Sequence, residues 1–136
     1  MYNLLKLGSL FCLLLTANVM FSQNAQTVKP RMIVENVYQD IDLPLLQKVM
    51  GQTKNYTLMD VRTPEEIANG KIGNALEMDI RRPDFRQELD KLDKNKLYIV
   101  YCHAGGRSTT ASNIMRELGF KQVYNFTPGY RVWPKE

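Results

Sequence analysis

The segment YCHAGGRS (residues 101–108) contains the residue types needed for nucleophilic chemistry. Cys102 stands at the end of a predicted buried strand, where open α/β sheets place their ligand sites. Gly105 and Gly106 allow positive φ angles, so the backbone can turn its N–H groups towards the sulfur. The predicted helix that follows has no carboxylate in its first turn, which leaves the positive end of its dipole available to another anion.

Arg107 adds a permanent cation to this segment. The N–H groups, the helix start and the arginine should together lower the pKa of Cys102 below the value of about 8.5 of a free thiol. The alternative is that Cys102 is a small buried hydrophobic residue. We favour the reactive thiolate. A cysteine of the hydrophobic core would not need two glycines, an arginine and a helix start without acidic residues around it.

His103 is the only histidine of the chain and follows the cysteine directly. It is either a general base or a loop residue that contacts substrate. Adjacent side chains in a curved loop usually point apart, so we favour the second role.

The elements around this loop alternate short apolar runs with amphipathic stretches, which predicts an α/β domain with a mainly parallel sheet. A capping box from Thr63 to Glu66, with Pro64 at the first helical position, marks a short helix. We expect Gly51 to end the helix before it. Strands are predicted at residues 56–60, 75–78, 97–101 and 123–126, and the other helices at residues 43–50, 84–92 and 108–118.

Composition points to one ordered domain, with 44% hydrophobic and 24% charged residues among 136. Eighteen basic against 14 acidic residues give a net charge of +4. Because the basic residues are scattered, small anionic ligands are favoured over nucleic acid. Two cysteines and one histidine are too few for a convincing metal site, so we expect neither a metal nor a cofactor.

The N-terminus is predicted to be a separate element. Residues 1–22 carry Lys6 as their only charge and contain an apolar core about as long as that of an export signal. Cleavage is predicted near Ser22, and residues 23–36 form a polar tether to a domain at residues 37–136. The alternative is an uncleaved membrane anchor. Either reading places the domain outside the cytoplasm, periplasmic or secreted, with Cys102 as the only thiol after cleavage.

Three motifs, in order, resemble those of the rhodanese homology domain. LMDVRTPEEIANGKIGNA (residues 58–75) is similar to D-V-R-x-x-x-E-[FY]-x-x-G-H-I-x-x-A, and YCHAGGRS resembles the catalytic loop. GFKQVYNFTPGYRVW (residues 119–133) resembles G-F-x-x-V-x-x-L-x-G-G-x-x-x-W. The resemblance covers about residues 38–134. Ile67, Lys71 and Pro128 depart from it at positions that serve packing and turns.

The resemblance implies a three-layer fold with a mainly parallel five-stranded sheet and helices on both faces. It also implies a sulfurtransferase in which Cys102 accepts a sulfane sulfur as a persulfide. Asp60 and Arg62 would form a buried ion pair. The loop around the sulfur would comprise His103, Ala104, Gly105, Gly106, Arg107 and Ser108.

The expected partners follow from this chemistry. The donor would be a small anion such as thiosulfate or polysulfide, or the persulfide of a partner protein, and the acceptor a thiol or cyanide. We expect a monomer that does not bind nucleic acid and that meets a membrane only if the N-terminal segment is uncleaved. Arg81 and Arg82 follow the predicted strand at residues 75–78, where they could capture substrate or be solvated surface charges.

Three rival functions use the same features. A cysteine phosphatase also needs a thiolate and an arginine, but its loop is longer than the four residues between Cys102 and Arg107. A non-catalytic binding module of the same fold would not need the cysteine. Dithiol redox chemistry would need an external resolving thiol, because the mature chain has one cysteine.

Overall fold

The computed structural model describes residues 35–135. The predicted export signal at residues 1–22, and the tether up to residue 34, lie outside the described residues. None of the helices within residues 35–135 is long and apolar enough to span a membrane.

Five strands in the described part of the chain form one sheet in which every neighbouring pair is parallel. Their order across the sheet is β1-β5-β4-β2-β3, so β4 lies at the centre. The strands are β1 Val37–Ile41, β2 Tyr56–Asp60, β3 Leu76–Glu77, β4 Leu97–Tyr101 and β5 Gln122–Phe126.

Helices connect these strands along the chain. Within residues 35–135 they are α1 Leu43–Gln52, α2 Pro64–Ile67, α3 Phe85–Asp90 and α4 Gly106–Glu117, followed by a short 3₁₀-helix at Tyr130–Val132. Each begins just after the carboxyl end of a strand or in the loop beyond it. The carboxyl ends of β2, β4 and β5 therefore share one edge of the sheet with the start of α4, as parallel strand-helix units require.

The two faces of the sheet pack into two separate hydrophobic cores. Along β4, Tyr98 and Val100 enter one core and Ile99 and Tyr101 enter the other, as the two-residue period of a strand dictates. α3 and α4 cover the first face, and α1 covers the second together with the C-terminal 3₁₀-helix. The structure thus confirms the expected three-layer α/β fold with a five-stranded parallel sheet.

Differences from the sequence prediction lie at the edges of this fold. β1 was not predicted. It is an edge strand that pairs with β5 alone, and its residues Gln39 and Asp40 are exposed, so its sequence has no apolar run to reveal it. The prediction that Gly51 ends α1 is wrong, since the helix continues to Gln52. The central strand β4 has the predicted boundaries.

Candidate active site

Cys102 is the first residue after the central strand β4 and is 2% exposed. The chain turns through residues 102–105 and enters α4 at Gly106. No acidic residue lies in the first turn of that helix. The sulfur is therefore placed at the electropositive end of α4, at the carboxyl edge of the sheet.

Backbone N–H groups surround the sulfur. The N–H of Gly105 donates to Cys102 Sγ at 3.1 Å. Burial raises the pKa of the Cys102 thiol, but the nearby N–H and hydroxyl dipoles of Ser108 and the N–H groups of Ala104 and Gly105 outweigh it. The pKa of Cys102 is consequently lowered from its ordinary value. The cradle thus favours the thiolate through backbone N–H groups and the Ser108 hydroxyl.

The two glycines of the loop have different roles. Gly105 has φ +96°, and a Cβ at this position would lie 2.4 Å from the carbonyl oxygen of Thr127. Only glycine fits such a position without strain. Gly106 does not use the positive φ that glycine allows: it is the first residue of α4, and a Cβ there would have no neighbour within 4 Å.

A turn near the C-terminus supports the catalytic loop from behind. The N–H of Tyr130 donates to the carbonyl of Cys102 at 2.8 Å, and that of Arg131 to the carbonyl of His103 at 3.2 Å. Gly129 has φ +70°, and a Cβ there would lie 2.4 Å from the oxygen of His103. This close approach requires glycine, and the turn forms with Pro128 in place of the first glycine of the motif.

Arg107 forms a bidentate ion pair with Glu66. Its two terminal nitrogens lie 2.6 and 2.7 Å from the two carboxylate oxygens. The cation that the sequence predicts beside the sulfur therefore has a counter-ion 41 positions earlier in the chain. The pair joins the start of α2 to the start of α4, so Arg107 braces the loop while Glu66 compensates its charge.

Glu66 takes part both in the capping box of α2 and in the ion pair with Arg107. It closes the predicted capping box, in which the N–H of Thr63 donates to its carboxylate at 3.2 Å. The Arg107 guanidinium, together with the N–H and hydroxyl of Thr63, outweighs burial and lowers the pKa of Glu66 from 4.5 to about 2. The capping box was visible in the sequence, but nothing there indicated Arg107 as a second partner.

Asp60 and Arg62 form a buried ion pair below the loop. Asp60 is fully buried and Arg62 is 2% exposed, with 2.6 Å between Arg62 Nη2 and Asp60 Oδ2. Arg62 also donates to the carbonyl of Gly70 at 2.8 Å, and its guanidinium stacks 4.0 Å from the ring centre of Tyr130. The pair thereby links the end of β2 to the segment that supports Cys102.

His103, Ala104 and Gly106 are the exposed residues of the loop. His103 borders a cleft of about 320 Å³ that Asn69, Arg131 and Lys135 also line. Glu66 is the acidic residue of this cleft and is already paired with Arg107. The cleft is therefore positively charged and lies next to the catalytic loop.

The structure does not bring Arg81 and Arg82 into the cradle. Both are exposed, and Arg82 pairs with Asp84 at 2.6 Å. Arg82 borders a groove of about 450 Å³ between α2, β3 and α3, whose lining includes no residue of the catalytic loop. Within residues 35–135, no cluster of three His, Cys, Asp or Glu side chains is arranged to bind a metal ion.

Comparison with known proteins agrees with this geometry. Residues 44–136 match the family model described as a rhodanese-like domain. A sulfurtransferase of Allochromatium vinosum is 30% identical over 96 residues, which cover 71% of this chain and 88% of that protein. The thiosulfate sulfurtransferase GlpE of Coxiella burnetii is 30% identical over 80 residues, covering 59% of this chain and 73% of its own length.

A solved structure is similar as well. The crystal structure of a rhodanese-like domain protein from Staphylococcus aureus superposes with a TM-score of 0.64 and 28% identity, covering 72% of this chain and 93% of that one. The residues that match the family model include the strands β2, β3, β4 and β5 and the loop that carries Cys102. The chain belongs to the rhodanese-like family of single-domain sulfurtransferases.

Proposed function

We propose that this protein transfers a sulfane sulfur from an anionic donor to a thiophilic acceptor through a persulfide on Cys102. The observation that carries the proposal is the N–H of Gly105 at 3.1 Å from Cys102 Sγ, in a loop that opens α4. A buried sulfur held by N–H donors is stabilised as an anion, which is the nucleophilic form. The names of the relatives from Allochromatium and Coxiella support the same reaction class.

The proposed reaction has two displacement steps. With thiosulfate as donor, the Cys102 thiolate attacks the outer sulfur, a new S–S bond forms, and sulfite leaves with the electron pair of the broken S–S bond. Cyanide or an acceptor thiolate then attacks the outer sulfur of the persulfide and releases the Cys102 thiolate. The same N–H groups stabilise the anionic sulfur before and after each step.

Intact-mass measurement after incubation with thiosulfate tests the proposal. We expect the wild-type protein to gain one sulfur atom and to lose it when cyanide is added. Cys102→Ser should gain none, since a hydroxyl of similar size is not ionised at neutral pH. In the full-length, uncleaved chain, Cys12→Ser is the matched control and should behave as wild type. A gain in Cys102→Ser, or no gain by the wild type with thiosulfate, polysulfide or a protein persulfide, would refute the proposal.

Hydrolysis of an aryl phosphate by the same proteins tests the phosphatase alternative. The four residues between Cys102 and Arg107 make a small ring of N–H donors, which suits one sulfur atom better than three phosphoryl oxygens. Arg107 is also already paired with Glu66, so its donors are not directed at an incoming phosphate. We therefore expect no hydrolysis that depends on Cys102.

Capture of the donor by Arg81 and Arg82 is tested separately with the double variant Arg81→Ala, Arg82→Ala. A higher KM for thiosulfate at low salt would support capture, because screening is weakest there. An unchanged KM would assign both arginines to the solvated surface, which is the role that the Arg82–Asp84 pair favours.

We propose that the domain acts outside the cytoplasm. The apolar segment at residues 1–22 supports export. N-terminal sequencing of protein recovered from fractionated cells tests this directly. A mature start near residue 23 in the extracytoplasmic fraction is expected, whereas an intact Met1 in the cytoplasmic fraction would contradict it.

A further inference from the structure

A chain of hydrogen bonds runs from the edge strand β1 to the catalytic loop. Asn125 in β5 donates through Nδ2 to Asp40 Oδ1 at 2.8 Å and to Thr109 Oγ1 at 2.9 Å. Thr109, in the first turn of α4, donates through Oγ1 to the carbonyl of Gly105 at 2.9 Å. Gly105 is the residue whose N–H reaches the sulfur of Cys102.

Asn125 takes part in this series of hydrogen bonds as a donor. The side chain is 3% exposed, and both hydrogens of its amide are used, one by Asp40 and one by Thr109. Its oxygen Oδ1 has no hydrogen-bond partner among the described residues. Turning the amide over would direct that oxygen at the Asp40 carboxylate, which only accepts hydrogen bonds, so the observed orientation is the favourable one.

Asp40 sets the direction of donation in this series of hydrogen bonds, because its carboxylate only accepts. Its carboxylate polarises the Asn125 amide, and the amide occupies a lone pair of the Thr109 hydroxyl. The single hydroxyl proton of Thr109 is therefore available for the carbonyl of Gly105, and each bond in such a series strengthens the next.

Gly105 is the point where these bonds converge. Its carbonyl accepts from Thr109 N–H at 2.9 Å, from Thr109 Oγ1 at 2.9 Å and from Ser108 Oγ at 3.0 Å. The carbonyl and the N–H of Gly105 lie on either side of one Cα, which has φ +96° and ψ −29°. Restraining the carbonyl therefore helps to restrain the direction of the N–H, at a residue that has no side chain to hold it.

We propose that Asn125 is a positioning residue: anchored by Asp40 and acting through Thr109, it fixes Gly105 so that its N–H points at the sulfur of Cys102. The inference rests on the proposed function only for its effect on turnover. Its effect on the reactivity of the sulfur itself can be measured without any sulfur donor.

Two pairs of matched variants test the chain from both ends. Thr109→Val replaces the hydroxyl by a methyl group of the same shape, whereas Thr109→Ser keeps the hydroxyl. Asp40→Ala removes the anchor, whereas Asp40→Asn keeps an oxygen that accepts from Asn125. Asn125→Ala removes the central link. None of these variants alters Arg107, Glu66 or His103, and the two Asp40 variants remove the same charge, so they differ only in the acceptor that Asn125 meets.

The main readout is the pH dependence of alkylation of Cys102 by iodoacetamide, followed on the Cys102 peptide by mass spectrometry so that Cys12 does not contribute. We expect the midpoint to move to higher pH in Thr109→Val, Asp40→Ala and Asn125→Ala, to move less in Asp40→Asn, which keeps an acceptor oxygen but loses the charge, and to stay at the wild-type value in Thr109→Ser. With thiosulfate, kcat should fall about five-fold, the effect of one neutral hydrogen bond, while KM is unchanged.

Contrary outcomes are equally specific. An unchanged alkylation midpoint in Thr109→Val and Asn125→Ala, even with a lower melting temperature, would make the chain purely structural and overturn the inference. Equal shifts in Thr109→Ser and Thr109→Val would overturn it too, since only one of them loses the hydroxyl. If the midpoints move as expected but the wild type forms no persulfide, the proposed function fails while the positioning role of Asn125 stands.

Discussion

Replacing Glu66 by glutamine separates the two ways in which Arg107 can act. A glutamine side chain would keep the volume and the acceptor oxygen that the capping box needs, because glutamine also occurs at that position of the box. The variant Glu66→Gln would lose only the negative charge and the bidentate ion pair with Arg107. Glu65→Gln is the matched control, since Glu65 is the exposed neighbouring acid in the same helical turn.

The structure sets the size of the stability effect. The pKa of Glu66 is lowered from 4.5 to about 2. At about 1.36 kcal/mol per pH unit, this difference corresponds to about 3.4 kcal/mol. Because 25% of the Arg107 side chain and 33% of the Glu66 side chain are exposed, solvent screens part of it. We therefore expect Glu66→Gln to lower the free energy of unfolding by about 1 to 2 kcal/mol at neutral pH.

The pH dependence has a definite sign. A carboxylate with a depressed pKa in the folded state stabilises the fold fully above its unfolded value and loses that contribution as pH falls through the folded value. The difference between wild type and Glu66→Gln should be complete above pH 4.5 and shrink as pH falls towards about 2. Urea unfolding at several pH values measures it, and Glu65→Gln should show a much smaller difference throughout.

The same variant has an opposite effect on the sulfur. Removal of the Glu66 charge leaves the Arg107 guanidinium uncompensated, so the pKa of Cys102 should fall further while stability decreases. Arg107→Met should lower stability and raise the pKa of Cys102. If Glu66→Gln leaves the alkylation midpoint of Cys102 unchanged, Arg107 acts on this loop by bracing alone. A stability difference that persists undiminished near pH 2 would refute the ion-pair argument itself.

Further predictions concern single groups of the site. Gly105→Ala should cost about 2 to 3 kcal/mol of unfolding free energy in denaturant titration, because its Cβ would lie 2.4 Å from a carbonyl oxygen, whereas Gly106→Ala should change it by less than about 0.5 kcal/mol. Asp60→Asn should cost about 3 kcal/mol by the same assay, since it leaves the buried Arg62 guanidinium without its counter-ion. His103→Ala should keep kcat for thiosulfate within about two-fold, and a loss of more than about ten-fold would assign His103 a catalytic role.

The fold was predictable from the sequence wherever local signals agreed with each other. β4 has an uninterrupted apolar run between polar flanks, and its predicted limits are the observed ones. The capping box at Thr63 likewise fixed the start of α2. β1 could not be predicted in this way, because it is an edge strand whose pairing partner, β5, lies at the far end of the domain sequence.

The residues of the catalytic loop were also predictable from local signals, whereas their distant partners were not. The nucleophile and its loop follow from short-range spacing, because strand, glycine and helix start are all within a few residues of Cys102. The partners of that loop are distant in sequence: Glu66 for Arg107, Asn125 for Thr109 and the turn at Gly129. Such contacts depend on the order of strands in the sheet, which residue spacing alone does not specify.

Charge conservation explains why this loop can work without a general base. The sulfur of Cys102 carries one negative charge as thiolate and one as persulfide, and thiosulfate and sulfite are both dianions, so the first step of the proposed cycle needs no proton to move. The second step needs none when the acceptor arrives as cyanide ion or thiolate. The site must therefore hold one anion steadily, and fixed N–H dipoles do this without reorganising. The neutral pair of Arg107 with Glu66 fits the same requirement, because it braces the loop without adding a net charge that would bind the sulfite product. The exposed position of His103 is consistent with a first step in which no proton has to be transferred.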